Sequence, residues 1–393
     1  MPWREMSVME QKEEFIVLWK TGSYTVTALA EMFDISRPTV YKYIYRYKNY
    51  GIKGLLEMSR EPKIKANKTA DWIEEKIIEL RIKHERWGAP KLLVLLEAEF
   101  PGVELPSVPT VQLILKRNGL VKERKRRHRP EAVNPIFDPK KANEVWSADF
   151  KGKFRMGNKL YCYTLTVADS YNRYVFAAKG MHRGTLVNVK PVFIDIFRRY
   201  GLPEQIHTDN GAPFASIRAL GRLSKLAVWF MELGIKPVFS DPAHPEQNGR
   251  HERMHRELKA EATKPPGYSL KAQQRKLNAF VREYNEVRPH EALGMKTPAS
   301  MMLYSERKYP EKIKEWIYPK NYHVRYVSKN GAIRIGRSSW LFITTALMGK
   351  EIGLEELGNR IYGIYFREFF LGYADMKELK VYDIMTYHGE LHV

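Results

Sequence analysis

The 393-residue chain has a single cysteine, Cys162, so it can form no internal disulfide and no cysteine-rich zinc site. That scarcity fits a reducing cytosol. Long apolar runs are missing too: the longest, such as Leu226 to Met231, fall far short of the ~20 residues a membrane span needs. The N-terminus, Met1-Pro-Trp-Arg-Glu, lacks the basic-then-apolar pattern of a secretory signal, which argues against export. Acidic residues are in short supply, 45 against 66 Lys and Arg, which leaves a formal net charge of +21. So basic a surface favours polyanionic partners, nucleic acid first and an anionic membrane second. No low-complexity tract is present.

The chain does have 44% hydrophobic and 12% aromatic residues, ample for real cores. Its length exceeds what one core usually supports, so two to four domains of roughly 60 to 200 residues are expected. From Glu5 to Lys20, Met9, Phe15, Ile16 and Trp19 fall at helical spacing, and Thr25 to Phe33 continues with Thr27 as the expected cap. Asp34-Ile35-Ser36 reads as a turn before a helix with Pro38 in its first turn, which makes a helix-turn-helix. In such a unit the second helix enters the major groove, so Arg37, Thr39, Tyr41, Lys42 and Arg46 are the candidate DNA contacts. Helices expected near Thr69 to Gly88, Pro90 to Phe100 and Ser107 to Gly119 form a second such unit. Next comes Val121 to Pro130, where six Lys or Arg, including Arg124, Lys125, Arg126 and Arg127, face one Glu. This run suits a solvated linker that tracks phosphates.

From Glu144 onward the pattern changes to strands. Val145 to Phe154, Lys159 to Val167 and Arg173 to Lys179 suggest a meander, followed by a helix over Thr185 to Tyr200 and a strand over Glu204 to Thr208. A helix over Ile217 to Leu233, a strand over Ile235 to Phe239 and a helix over Gly249 to Ala262 complete a mixed α/β core. After Pro319, short alternating segments with glycine turns fit a small SH3-like β-barrel.

Three segments carry chemistry: V-W-S-A-D-F around Asp149, H-T-D-N-G around Asp209 and P-E-Q-N-G-R-H-E-R around Glu252. Cutting and joining phosphodiesters requires an activated oxygen nucleophile and a stabilised leaving oxygen, which two Mg²⁺ ions held by clustered carboxylates supply. Asp149 alternates away from the apolar Trp146, Ala148 and Phe150, Asp209 ends a strand, and Glu252 opens a helix. Glu246 competes for the third place. His207, His244, His251 and His255 suit structural hydrogen bonds or phosphate contacts better than metal ligation, because two-metal phosphoryl transfer uses oxygen ligands.

These segments, together with D-I-S-R-P-T-V-Y-K at Asp34, R-W-G-A-P-K-L at Arg86, H-P-E-Q-N-G-R-H-E-R-M-H-R-E-L-K at His244 and Y-N-E-V-R-P-H-E-A-L at Tyr284, make the chain resemble a DDE transposase with a retroviral-integrase-like catalytic core. More closely, it is similar to insertion sequence family 481. The resemblance implies a ribonuclease H-like core and a catalytic, metal-binding triad of Asp149, Asp209 and Glu252, with Mg²⁺ as cofactor and Mn²⁺ tolerated. It also implies that the partners are double-stranded transposon ends and target DNA, and that the protein acts as a homo-oligomer, dimer or tetramer, in the bacterial cytoplasm at the nucleoid. Helical spacing sets Asn248, Arg256 and Lys259 on or near the face of Glu252, suited to holding a DNA end, with an ordinary exposed Glu252–Arg256 ion pair as the alternative. The domain scheme is then 1–60 and 61–121 for the helix-turn-helix units, 122–135 for the basic linker, 136–300 for the core, and 301–393 for a linker and barrel. Two readings compete: a helix-turn-helix regulator with an inactive integrase-like core, and a nuclease acting on RNA–DNA hybrids. In one respect the chain departs from the pattern. Asp209 and Glu252 are separated by 42 residues, wider than the spacing familiar from integrases, with Ile217 to Lys225 as the expected place of the extra residues.

Overall fold

The computed structural model describes residues 6–57, 68–121, 138–216, 219–240, 249–336 and 339–383. The chain divides into two compact units, Met1–Asp71 and Trp72–Val393.

In the first unit, α1 (Val8–Lys20) starts at a capping box in which the Ser7 hydroxyl and the Glu10 carboxylate satisfy each other's backbone N–H. Helix α2 (Val26–Met32) is capped by Thr25, not Thr27, because the Thr25 hydroxyl reaches the Ala28 N–H. The turn into α3 (Arg37–Tyr50) passes through Asp34 at positive φ, and Pro38 lies in the first turn of α3. Ser36 stands at the start of α3 but makes no capping bond; its hydroxyl pairs with that of Thr39 at 2.9 Å. Phe15, Ile16, Leu29, Val40, Ile44 and Leu55 close the core of this helix-turn-helix unit.

The second unit begins with α4 (Asp71–Lys83, its first residue in the preceding unit), α5 (Ala89–Glu99) and α6 (Val108–Arg117), packed around Ile77, Trp87, Leu92, Leu96 and Val111. Ser107 caps α6, its hydroxyl accepting from the Thr110 N–H. The central sheet follows, with β1 (Val145–Arg155), β2 (Tyr161–Asp169), β3 (Val175–Met181), β4 (Gln205–Thr208) and β5 (Lys236–Phe239) in the order β3-β2-β1-β4-β5. The first three strands are antiparallel, whereas β4 runs parallel to both β1 and β5, as in a ribonuclease H-like core. Helices α7 (Leu186–Tyr200) and α8 (Lys225–Glu232) cover one face, meeting Trp146, Ala148, Leu165 and Ile206. The other face is covered by α9 (Gly249–Ala262) and α10 (Leu270–Arg282), through Met254, Leu258, Leu277 and Phe280.

Helix α8 starts later than the expected Ile217. Gly221 and Arg222 both hold positive φ and interrupt helical geometry, so the helix begins only at the Ser224 cap. Its run from Leu226 to Met231 is buried all round, because Leu226, Trp229 and Phe230 enter the central core while Ala227, Val228 and Met231 enter the C-terminal one.

The C-terminal strands are β6 (Tyr322–Tyr326), β7 (Ala332–Arg334), β8 (Trp340–Phe342), β9 (Glu351–Gly358), β10 (Ile361–Phe366), β11 (Phe369–Asp375) and β12 (Lys380–Asp383). They form an antiparallel sheet in the order β12-β11-β10-β9-β6 and a separate β7-β8 hairpin. Among the described residues no ladder joins the two edges into the closed barrel that the strand pattern suggested. Val327, Ile333, Leu341 and Ile352 pack with α8 instead, so the core helix takes the place of a closing strand.

Candidate active site

The parallel register pairs Ala148 of β1 with Thr208 of β4, which brings the next residues together where that ladder ends: Asp149 within β1 and Asp209 just past β4. Both lie on the α9 side of the sheet, since Trp146 and Ala148 point into the opposite core. A register shift between Phe150 and Lys153 bends β1 just beyond Asp149. Burial pushes the Asp149 carboxyl up to about 7, helped by the neighbouring Asp209 and Glu252 charges and opposed by the Phe150 backbone and Lys151. Asp209 is raised by burial as well, and its Oδ1 atom is buried with no hydrogen-bond partner among the described residues. Glu252 lies exposed in the first turn of α9, near enough for its charge to act on Asp149.

Two buried histidines of α9 seat that helix over β1 and β2. His251 Nδ1 is 2.9 Å from the Ser147 hydroxyl, and the Thr166 hydroxyl lies 2.6 Å from Nε2 of both His251 and His255. Thr166 also donates to the Asp149 carbonyl at 3.1 Å. A hydroxyl has one proton to give, so with that proton on the carbonyl both imidazole Nε2 atoms donate to Thr166. Burial holds both imidazoles neutral, His255 at about 3 and His251 well below its ordinary value. With its ring nitrogens engaged by hydroxyls, His251 serves the structural role expected for it. His207, likewise pushed by burial to about 4, lies 2.9 Å from the Ser240 hydroxyl.

The loop from Ala219 to Leu223, between Asp209 and Glu252, reaches toward the site. The Arg222 guanidinium donates to Asn210 Oδ1 at 3.3 Å and to the Ser240 carbonyl at 3.2 Å, and Asn210 Nδ2 donates to that carbonyl at 2.6 Å. Arg222 thereby ties the residue after Asp209 to Ser240, the first residue after β5. On their other side these residues meet the C-terminal sheet, where the Gly221 N–H reaches Asp383 and Leu220 joins the apolar core.

Arg256 and Lys259 are exposed on α9, four and seven residues beyond Glu252 and so on its face of the helix. Arg37, Tyr41 and Lys42 are exposed on α3, Thr39 is engaged by Ser36, and Arg46 is half-buried with its guanidinium 6.0 Å from the Tyr43 ring. Tyr45, four residues after Tyr41 and 67% exposed, joins that face although it is absent from the sequence-based set. Arg124, Lys125, Arg126, Arg127, Asn248, Glu246 and His244 lie outside the described residues.

Among the described residues, no three His, Cys, Asp or Glu converge closely enough to hold a metal ion by themselves. The Asp149–Asp209 pair nevertheless has the chemistry of a hard-cation site: oxygen donors only, mutual repulsion that a cation would relieve, and an orphaned carboxylate oxygen.

Residues 139–245 and 233–298 match two families that are each described as an integrase core domain. Residues 11–63 match a helix-turn-helix domain, and residues 39–115 a homeodomain-like domain. An uncharacterized 39.2 kDa protein of insertion element IS476 from Xanthomonas euvesicatoria is 28% identical over 234 residues, 58% of this chain and 63% of that protein. The chain thus spans just under two thirds of that relative. An insertion element IS407 protein of Burkholderia multivorans is 26% identical over 57% of this chain and 78% of its own length. Among solved structures, the HTLV-2 integrase catalytic core domain in complex with magnesium aligns with 42% of this chain and 99% of that one, at 17% identity and a TM-score of 0.34. The chain therefore carries an integrase core preceded by helix-turn-helix segments and is similar to proteins of bacterial insertion elements.

Proposed function

We propose that the chain is a DNA transposase of the DDE class, which binds the terminal inverted repeats of its element, cleaves their 3′ ends and joins them to target DNA. The observation that carries this reading is the meeting of Asp149 and Asp209 where the parallel β1–β4 ladder ends, with the orphaned Asp209 oxygen and Glu252 on the helix above. In this reading Asp149 and Asp209 would hold one Mg²⁺ and Asp149 and Glu252 a second, with Mn²⁺ as a substitute, and the chemistry supplied there would be activation of water and then of a 3′-hydroxyl with stabilisation of the leaving oxygen. Arg256 and Lys259, exposed on the face of Glu252, hold the phosphates of the DNA end beside the acids. Arg37, Tyr41, Lys42 and Arg46 read the repeat, and Arg124 to Arg127 and Asn248 add contacts to the backbone.

The domain scheme given above, a C-terminal module of SH3 type, oligomerisation on paired ends, cytoplasmic action at the nucleoid and kinship to family 481 belong to the same proposal. A strand-transfer assay with a labelled DNA end and Mg²⁺ tests it. Wild type should join the end to target DNA and Asp209→Asn should not; undiminished joining by the variant would sink the assignment.

A further inference from the structure

Two sequence segments with no part in the chemistry, R-W-G-A-P-K-L from Arg86 and Y-N-E-V-R-P-H-E-A-L from Tyr284, meet in the structure. The Arg288 side chain is 2% exposed. It donates through Nη1 to Glu257 at 2.9 Å and through Nη2 to Glu261 at 2.5 Å, both on α9. Its guanidinium also lies 5.4 Å from the ring of Trp87, which is buried in the core of the α4–α6 module. Around this contact, His84 of the same module stacks on Trp87 at 4.1 Å and reaches Glu283 at 3.1 Å, and Arg86 lies 3.9 Å from Glu257.

A helix turns about 100° per residue, so Glu257 and Glu261 project roughly 140–180° away from Glu252. The buried face of α9, through His251, Met254, His255 and Leu258, lies against the sheet. Helix α9 is therefore fixed along its sheet face by the histidines and along a second face by Arg288, while the face bearing Glu252, Arg256 and Lys259 is left to solvent. Glu257 is only about 7.5 Å along the axis from Glu252. A shift of the Arg288 junction therefore moves the helix that carries the third acid.

We propose that Arg288 is a positioning residue, through which docking of the α4–α6 module on α9 sets the placement of Glu252. The catalytic part of this inference rests on the transposase reading; the mechanical part does not. Lysine at 288 keeps the charge but loses the planar fork that bridges two carboxylates and faces an indole.

The test uses the full chain with Arg288→Lys, Trp87→Phe and the double variant. Each single variant should bind a labelled DNA end as tightly as wild type yet cleave it about tenfold more slowly in a single turnover. The double variant should be no slower than the slower single, the non-additivity expected of residues acting through one contact. Hydrogen exchange of the α9 amides should quicken in both singles, whether or not the protein cleaves DNA. If Arg288→Lys unfolds the chain, Arg288→Gln with Glu257→Gln and Glu261→Gln removes all three charges together and should show the same slowing and faster exchange. Wild-type cleavage together with wild-type α9 exchange in these variants would overturn the inference. A wild-type protein inert on DNA, with α9 exchange that still responds to the variants, would instead overturn the transposase reading and leave the junction standing.

Discussion

Asp149 is a carboxylate folded where it would rather be neutral. Its carboxyl is raised from 3.8 to about 7, by burial first and Asp209 second. Below about pH 4 it is protonated in both the folded and unfolded chain, with no effect on stability; as pH rises toward 7 the unfolded chain releases the proton first, so stability falls, and above 7 the full penalty remains. Asp149→Asn should therefore stabilise the metal-free protein at pH 8, by an amount on the order of 2–4 kcal/mol, and by nearly nothing at pH 4. Thermal melts in EDTA at the two pH values check this, and joining activity should vanish in the same variant. Arg222 makes the complementary case, since its two acceptors are the side chain of Asn210, next to Asp209, and the backbone carbonyl of Ser240. Removing it in Arg222→Ala should cost about 1 kcal/mol of stability but slow end cleavage by about tenfold, with partial recovery in Arg222→Lys, as urea melts and single-turnover rates would show.

At the scale of elements, α9 is a lever held from below by Thr166. Thr166→Val keeps the shape but strips the hydroxyl shared by two buried imidazoles, and should destabilise the fold by about 1–3 kcal/mol, measured by urea denaturation. Nothing in the α9 sequence alone announces this, because the partner hydroxyl lies on β2, 85 residues before His251. The strands of the central sheet were legible for the opposite reason: their β-branched and aromatic runs are bounded by local turn signals such as Gly157-Asn158, so nearest neighbours suffice. Helix α10 escaped the pattern because Gln273 occupies its inward face, satisfied by the Gly267 N–H and the Ala262 carbonyl. Strand β9, with three glutamates and two glycines in eight residues, carries too little apolar alternation to stand out. The premature start given to α8 arose from Leu220 and Leu223, which sit at helical spacing but pack from a loop broken by positive φ at Gly221 and Arg222. The places of the three candidate acids, within β1, just past β4 and in the first turn of α9, follow from local pattern, whereas Arg288 and its glutamates become a unit only after the chain has folded.

Across the whole molecule, α8 belongs to two cores at once. Val228→Asp would put a carboxylate among Ile333, Leu341 and Ile352 and should cost about 3–5 kcal/mol. Because α8 is common to both cores, Trp229 fluorescence and DNA joining should be lost at the same urea concentration; loss of the C-terminal sheet alone, with the core signal intact, would show the two to be independent. This sharing also constrains how such chains can be recombined. Ala227, Val228 and Met231 are chosen by the sheet they meet and Leu226, Trp229 and Phe230 by the central core, so drift on either side must be answered within one six-residue stretch. A chimaera joined between residues 302 and 320 would set a foreign sheet on a mismatched helix and emerge insoluble, whereas one that transplants 219–231 together with 322–383 carries the whole joint with it.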